Sequence, residues 1–126
     1  MATILIVEDN VVNMQLATFL VTSAGHTVLT AADAEVSLTV AREQHPDLIL
    51  MDIQLPGMDG LDATVLLKKD EATRAIPVIA LTALAMKGDE ERIRAAGCDG
   101  YMAKPMRYQD FLKMLAAHLP SHAKSA

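Results

Sequence analysis

The chain has 126 residues, 52% hydrophobic and 21% charged, with 11 basic and 16 acidic side chains and a net charge of −5. That is the length of one domain with ample apolar material for a core, which excludes intrinsic disorder. A pI near 5.2 lacks the basic footprint of a nucleic-acid binder, and a single cysteine excludes an internal disulfide and any zinc-type Cys/His spacing.

The N-terminus opens directly into an apolar run over residues 3–7, without the basic region or cleavage site of a signal peptide. Residues 11–32 carry no charge, yet Asn13, Gln15, Thr18, Thr22 and Thr30 make the stretch too polar to span a membrane. A cytoplasmic protein, with no membrane and no nucleic acid among its partners, is expected. Asn10 reads as the N-cap of a first helix whose Val12, Leu16, Phe19 and Leu20 share an apolar face, and Gly25 closes it. A second run covers residues 27–31, and Asp33 reads as the next N-cap. Further runs fall at 48–51 and 78–81, with a weaker one at 100–103. Nearly continuous apolar runs are expected of parallel strands covered on both faces.

Between the last two runs, a helix over about 89–96 carries Asp89, Glu90 and Glu91 at its positive end. It has few apolar anchors beyond Ile93, which makes it a candidate for the least stable element, an ordinary solvated helix being the other reading of the same segment. In the last helix Tyr108, Phe111, Leu112, Leu115 and Leu119 define a face that ends before Pro120. Five strands alternating with five helices predict an α/β doubly wound (βα)5 fold, a flavodoxin-like three-layer sandwich with sheet order 2-1-3-4-5. Residues 1–120 form the expected domain, 121–126 a flexible C-terminal tail, with no output domain.

Right-handed βα units place all strand carboxyl ends on one edge of the sheet. Glu8 and Asp9, Asp52, Thr82, and Lys104 with Pro105 fall at four of those ends, whereas the second strand ends in Ala31 and Ala32. In the 2-1-3-4-5 order the switch point lies between strands 1 and 3, where such sheets bind ligands, so Asp9 and Asp52 flank it. Two like charges 4 Å apart repel by about 4 kcal/mol at an effective dielectric near 20. Three clustered carboxylates therefore call for protons or a cation. An all-oxygen donor set favours a hard ion such as Mg²⁺, and a lysine and a hydroxyl beside it suit a phosphoryl group. Each motif alone is ordinarily a helix cap or a solvated turn; all four at the right strand ends point to phosphoryl transfer.

These residues carry a family resemblance. Ile-Val-Glu8-Asp9-Asn10, Leu-Met-Asp52-Ile-Gln-Leu-Pro56-Gly57-Met58-Asp59-Gly60, Ala-Leu-Thr82-Ala83 and Tyr101-Met-Ala-Lys104-Pro105 resemble the CheY-like receiver domain of two-component response regulators over about residues 3–119. The segment from Thr82 through Cys98 is most similar to single-domain cell-cycle receivers and to receivers of hybrid kinases. The resemblance implies that Asp52 accepts a phosphoryl group from a phosphohistidine of a sensor kinase or histidine phosphotransfer protein. It implies Mg²⁺, replaceable by Mn²⁺, on Asp9, Asp52 and the Gln54 backbone carbonyl, with Glu8 acting through water. Lys104, the Thr82 hydroxyl and the Ala83 amide would hold phosphoryl oxygens, with a cis peptide or special loop at Lys104–Pro105. Thr82 and Tyr101 would form the switch, Val11, Met14, Pro105 and Met106 the kinase-docking surface, and the helix 4–strand 5–helix 5 face would bind a state-dependent target. Gln54 and Leu84 would flank the line of water attack and tune the lifetime of the phosphorylated state.

The expected protein is a regulatory phosphoacceptor, monomer or weak dimer, and not an enzyme beyond its own phosphorylation and dephosphorylation. A haloacid-dehalogenase-type phosphatase uses the same residue types, but its nucleophile comes early in the chain with a second acid two residues on; here Gln54 occupies that place. An unphosphorylated scaffold is disfavoured by the intact set. The four histidines read as surface residues, Cys98 as packed, and Gly57 and Gly60 as turn residues.

Overall fold

The computed structural model describes residues 2–55, 57–83, 87–104 and 106–119, the side chains of 87–89 excepted. Strands β1 (Thr3–Val7), β2 (Thr27–Ala31), β3 (Leu48–Asp52), β4 (Val78–Thr82) and β5 (Gly100–Ala103) alternate with helices α1 (Val11–Ser23), α2 (Ala34–Gln44), α3 (Gly60–Lys69), α4 (Lys87–Ala96) and α5 (Tyr108–His118). All strands pair in parallel in the order β2-β1-β3-β4-β5. The five expected runs are the five strands, and β3 and β4 each extend one residue further, to Asp52 and Thr82.

Alternation along each strand divides the core into two layers. Ile4 and Ile6, Leu48 and Leu50, Ile79 and Leu81 point to one side, where Leu20, Val21, Phe111 and Leu115 cover them. Leu5, Val7, Ile49, Met51 and Val78 point to the other, against Ala34, Ala41, Ala63 and Leu67. Coverage of both faces holds for the inner strands β1, β3 and β4 only; β2 and β5, at the edges, expose part of their side chains.

The N-caps at Asn10 and Asp33 are present, accepting from the Asn13 and Val36 amides at 2.9 and 2.8 Å. A third cap, Asp59, accepts from the Asp62 amide at 2.9 Å and opens α3. Gly25 has φ +88°, and the Gly25 and His26 amides return to Thr22 and Val21, closing α1.

The apolar faces expected for α1 and α5 are corrected. The buried face of α1 is Ala17, Leu20 and Val21, whereas Val12 and Phe19 are 70% and 65% exposed and Leu16 is exposed as well. A helix with no charged residue carries two apolar stripes, and its sequence does not mark which one meets the sheet; Ala17 lets the backbone approach closely. In α5 the buried residues are Phe111, Met114 and Leu115, while Tyr108 and Leu112 face outward. Helix α4 begins at Lys87, two residues before the expected start, and Ile93 is its buried anchor, against Ile53, Leu61 and Ala80.

Two histidines read as surface residues are structural. His26 is half-buried and its Nδ1 accepts from the Ala2 amide at 3.0 Å, while half-buried His118 packs over Gly100. His45, exposed at φ 48°, caps α2. His122, with the rest of residues 121–126, lies outside the described residues.

Candidate functional site

The order β2-β1-β3 brings the carboxyl ends of β1 and β3 together, and parallel pairing of Val7 with Met51 sets Glu8 and Asp9 beside Asp52. Pairing of Asp52 with Leu81 and of Thr82 with Ala103 places the Thr82 and Lys104 ends next in line. The Lys104 amide donates to the Thr82 carbonyl at 2.8 Å, fixing the start of the loop after β5.

Glu8, Asp52 and Thr82 are buried, Lys104 is half-buried and Asp9 is exposed. Lys104 Nζ lies 2.9 Å from Asp52 Oδ2 and 3.1 Å from Glu8 Oε1. The Gln54 amide donates to Asp52 Oδ1 at 2.9 Å, folding the backbone over the carboxylate, while the Gln54 side chain is exposed. One carboxylate oxygen from each of Glu8, Asp9 and Asp52 falls within 4.8 Å of the others. Three acids face one lysine. Burial, reinforced by the Asp52 carboxylate, pushes Glu8 up to about 7, against the opposing pull of Lys104. Burial works to lower the Lys104 ammonium, but its hydrogen bonds to Asp52 and Glu8 outweigh that and hold it above its usual range.

Glu8 Oε2 is buried with no hydrogen-bond partner among the described residues. Buried oxygen atoms without partners are rare and call for a ligand or water. The surplus negative charge, the orphaned oxygen and a donor set of carboxylates alone fit a hard divalent cation. Beside Glu8 a crevice of about 20 Å³, lined by Glu8, Asn13, Lys104 and apolar residues that include Leu16 and Met106, has the size of one water.

The remaining expected residues divide. Ala83 is exposed next to Thr82, and Tyr101 lies at the surface of β5 with 36% exposure. Val11 is exposed at the start of α1; Met14 and Met106 are only half-exposed, packed against the core under α1 and α5. Pro105 and Leu84 lie outside the described residues. Cys98 is half-buried against Thr64, and burial raises its thiol, as a packed cysteine requires. Gly57, at φ +74°, is a turn residue as expected. Gly60 is not: it is the first residue of α3, and a Cβ there would overlap the Asp52 carbonyl oxygen. The only sequence signal for that close approach is a glycine directly after the Asp59 cap.

The profile of the response regulator receiver domain matches residues 4–116. The chain belongs to the response regulator receiver family. It is 50% identical over 116 residues to the polar-differentiation response regulator DivK of Brucella ovis, covering 92% of this chain and 94% of that protein, and 48% identical to DivK of Brucella anthropi over the same length. Among solved structures, the chemotaxis protein CheY4 of Vibrio cholerae superposes with a TM-score of 0.89 at 28% identity, covering 94% of this chain and 99% of that one. The receiver domain of the sensor histidine kinase PA1611 from Pseudomonas aeruginosa PAO1 gives 0.87 at 38% identity over 93% and 96%; that structure has a magnesium ion coordinated in its active-site cleft. This receiver is therefore a regulatory domain of two-component signalling, and the carboxyl edge of its sheet brings Glu8, Asp9 and Asp52 together. No helix among its described residues is long and apolar enough to cross a membrane.

Proposed function

We propose that this receiver works in the cytoplasm and that its Asp52 takes a phosphoryl group from a phosphohistidine on a sensor kinase or histidine phosphotransfer protein. The observation that carries this reading is the setting of Asp52: a buried carboxylate held between Lys104 Nζ and the Gln54 amide, both at 2.9 Å, with the Glu8 and Asp9 oxygens alongside. An Asp52 oxygen forms the new bond to phosphorus as the phosphorus–nitrogen bond to imidazole breaks. Lys104 faces the charge that develops on the phosphoryl oxygens, and the Thr82 hydroxyl and Ala83 amide bind others. Asp9, Asp52 and the Gln54 carbonyl, with Glu8 acting through water, would hold Mg²⁺ or Mn²⁺, which when bound neutralises phosphoryl charge.

A phosphoryl group adds about −1.5 to −2 charge, and a charge-assisted hydrogen bond from Thr82 is worth about 1.5–3 kcal/mol. That is enough to bias an element with two arrangements a few kcal/mol apart. Tyr101, half in solvent beside α4, is the residue that turns inward, so the face of α4, β5 and α5 presents a phosphorylation-dependent surface to a target protein. Exposed Val11, with Met14, Pro105 and Met106, receives the histidine-bearing helices. Gln54 and Leu84 set the rate at which water removes the phosphoryl group.

Incubation with Mg²⁺ and acetyl phosphate, followed by intact mass, tests the reading. A labile single-phosphoryl adduct is expected, absent in Asp52→Ala. Rapid turnover of small phosphoesters instead identifies a phosphatase. No adduct from acetyl phosphate, repeated without success using a cognate phosphohistidine donor, identifies an unphosphorylated scaffold.

A further inference from the structure

The first turn of α1 brings a polar side chain up to Glu8. The helix contains no Asp, Glu, Lys or Arg, and Asn13 is half-buried within it. The Asn13 backbone amide is taken by the Asn10 cap at 2.9 Å, and its side chain has no hydrogen bond among the described residues. Asn13 lines the crevice of about 20 Å³ beside Glu8. Its walls are apolar, Ile6, Ala17 and Leu81 among them, and its polar residues are Glu8, Asn13 and Lys104. Neither Asp9 nor Asp52 lines it, so it lies on the α1 side of Glu8, apart from the point where the three carboxylates meet.

We propose that Asn13 is a positioning residue that acts on Glu8 through one water held in this crevice. The inference deepens the proposed function and rests on it for its effect on the reaction. Size decides the occupant: about 20 Å³ exceeds the ~10–15 Å³ that one water needs and falls far below the ~300 Å³ of a small-molecule pocket. Polarity decides that the crevice is wet. An apolar cavity stays dry, whereas a buried water makes about three hydrogen bonds to polar groups that otherwise lack partners. Three are on offer. Glu8 Oε2, buried and without a partner among the described residues, accepts one. Lys104 Nζ has three donors; Asp52 Oδ2 and Glu8 Oε1 take two of them, at 2.9 and 3.1 Å, and the third is left for the water. The Asn13 side chain supplies the last, donating or accepting according to the turn of its amide. The water thus holds one oxygen of Glu8 while Lys104 holds the other, which fixes the plane of the carboxylate. Lys104 keeps two direct anchors, so losing the water frees Glu8 more than Lys104. Glu8 is an outer partner of the proposed cation, and removing support of that kind weakens metal affinity by about 10–100-fold. Asn13 therefore governs how tightly the cation is held and has much less influence on transfer once it is bound.

A crystal structure of the wild-type protein that resolves single waters is expected to show one within hydrogen-bond distance of Glu8 Oε2, Lys104 Nζ and the Asn13 side chain. In Asn13→Leu hydrocarbon faces Glu8 Oε2 instead. Half-saturating Mg²⁺ for adduct formation from acetyl phosphate is then expected to rise about 10-fold, with the rate at saturating Mg²⁺ close to wild type. Asn13→Ser, which keeps a polar group, is expected to fall between the two. Gln15→Leu, which removes an amide from the exposed side of the same helix, is expected to match wild type. A change acting only on the stability of α1 would move the urea midpoint and leave the Mg²⁺ dependence alone. A wild-type crystal with no ordered water in the crevice overturns the proposal, as does an Asn13→Leu chain with wild-type Mg²⁺ dependence. A wild-type chain that forms no adduct fails the proposed function instead, and the crystal then decides the water and its Asn13 partner by itself.

Discussion

Gly60 at the start of α3 lies directly against the backbone of Asp52: a Cβ at Gly60 would overlap the Asp52 carbonyl oxygen and come within 2.8 Å of the Ile53 Cα. Both obstacles are backbone, so neither can rotate away. The Gly60 amide also donates to the Ile53 carbonyl at 3.3 Å, which locks the helix start against the end of β3 that carries Asp52.

Gly60→Ala therefore has to displace either α3 or the end of β3. Overpacking of this kind costs about 1–3 kcal/mol, and because the displaced backbone is that of Asp52, adduct formation from acetyl phosphate slows as well. Gly25→Ala supplies the contrast. It has open space around it but a φ of +88°, so it costs about 1–2 kcal/mol of backbone strain and leaves adduct formation unchanged. Urea midpoints and intact-mass time courses on both variants separate the two effects.

Glu8 makes the stability of the cation-free protein depend on pH. Its folded value of about 7 lies above the 4.5 of an ordinary glutamate, so the folded chain holds the proton more tightly than the unfolded chain. The associated stability is complete below about pH 4.5 and is lost as pH rises through 7. Lys104, held above its usual range, stays charged throughout that window and adds no slope; Asp70, lowered by the Ala72 amide and Arg42, titrates below it. Thermal melts in chelator are expected to show wild type losing a few kcal/mol across the window, relative to a flatter Glu8→Gln profile. Equal slopes for the two proteins would contradict the burial of this carboxylate.

A divalent cation held as proposed is expected to reverse that dependence. Binding at the Glu8, Asp9 and Asp52 cluster would require carboxylates without their protons, so added Mg²⁺ is expected to stabilise the protein more at about pH 7.5 than at about pH 5. In Asp9→Asn the gain at the higher pH is expected to shrink, because a neutral amide replaces the exposed carboxylate of the set. Melting temperatures with and without Mg²⁺ at the two pH values check both statements.

The strands were legible because β1, β3 and β4 are buried on both faces and therefore spell unbroken apolar runs; the gathering of polar residues at one sheet edge was legible because they terminate those runs. Asp52 and Thr82 proved to be the last residues of β3 and β4 themselves. The helix faces were not legible. In α1 no charge marks the solvent side, so Val12 and Phe19 read as core while Ala17, too small to stand out, makes the actual contact. In α5 Met114 takes the buried place that the pattern assigned to Leu112. Gly60 escaped because an Asp-Gly pair reads equally as a turn, and only the path of the chain beneath Asp52 reveals the close approach.

A network far from the site was equally hidden, since no motif links residues 31 apart. Lys68 Nζ donates to Asp99 Oδ2 at 2.9 Å and to the Ile76 carbonyl at 2.8 Å, and the same Asp99 oxygen accepts from the Val78 amide at 2.8 Å. This ties α3 to the first residues of β4 and the approach to β5. Asp99→Ala leaves the Val78 amide, on a fully buried residue, without its side-chain acceptor, at a cost of about 2 kcal/mol. Glu90→Ala breaks only the exposed Glu90–Arg94 pair of α4 and costs at most ~0.5 kcal/mol. The Asp99 network lies at the amino ends of the strands, opposite the edge that carries Asp52, so both variants keep normal adduct formation. Urea midpoints should rank them in that order, and faster hydrogen exchange at the Val78 amide should appear in Asp99→Ala alone.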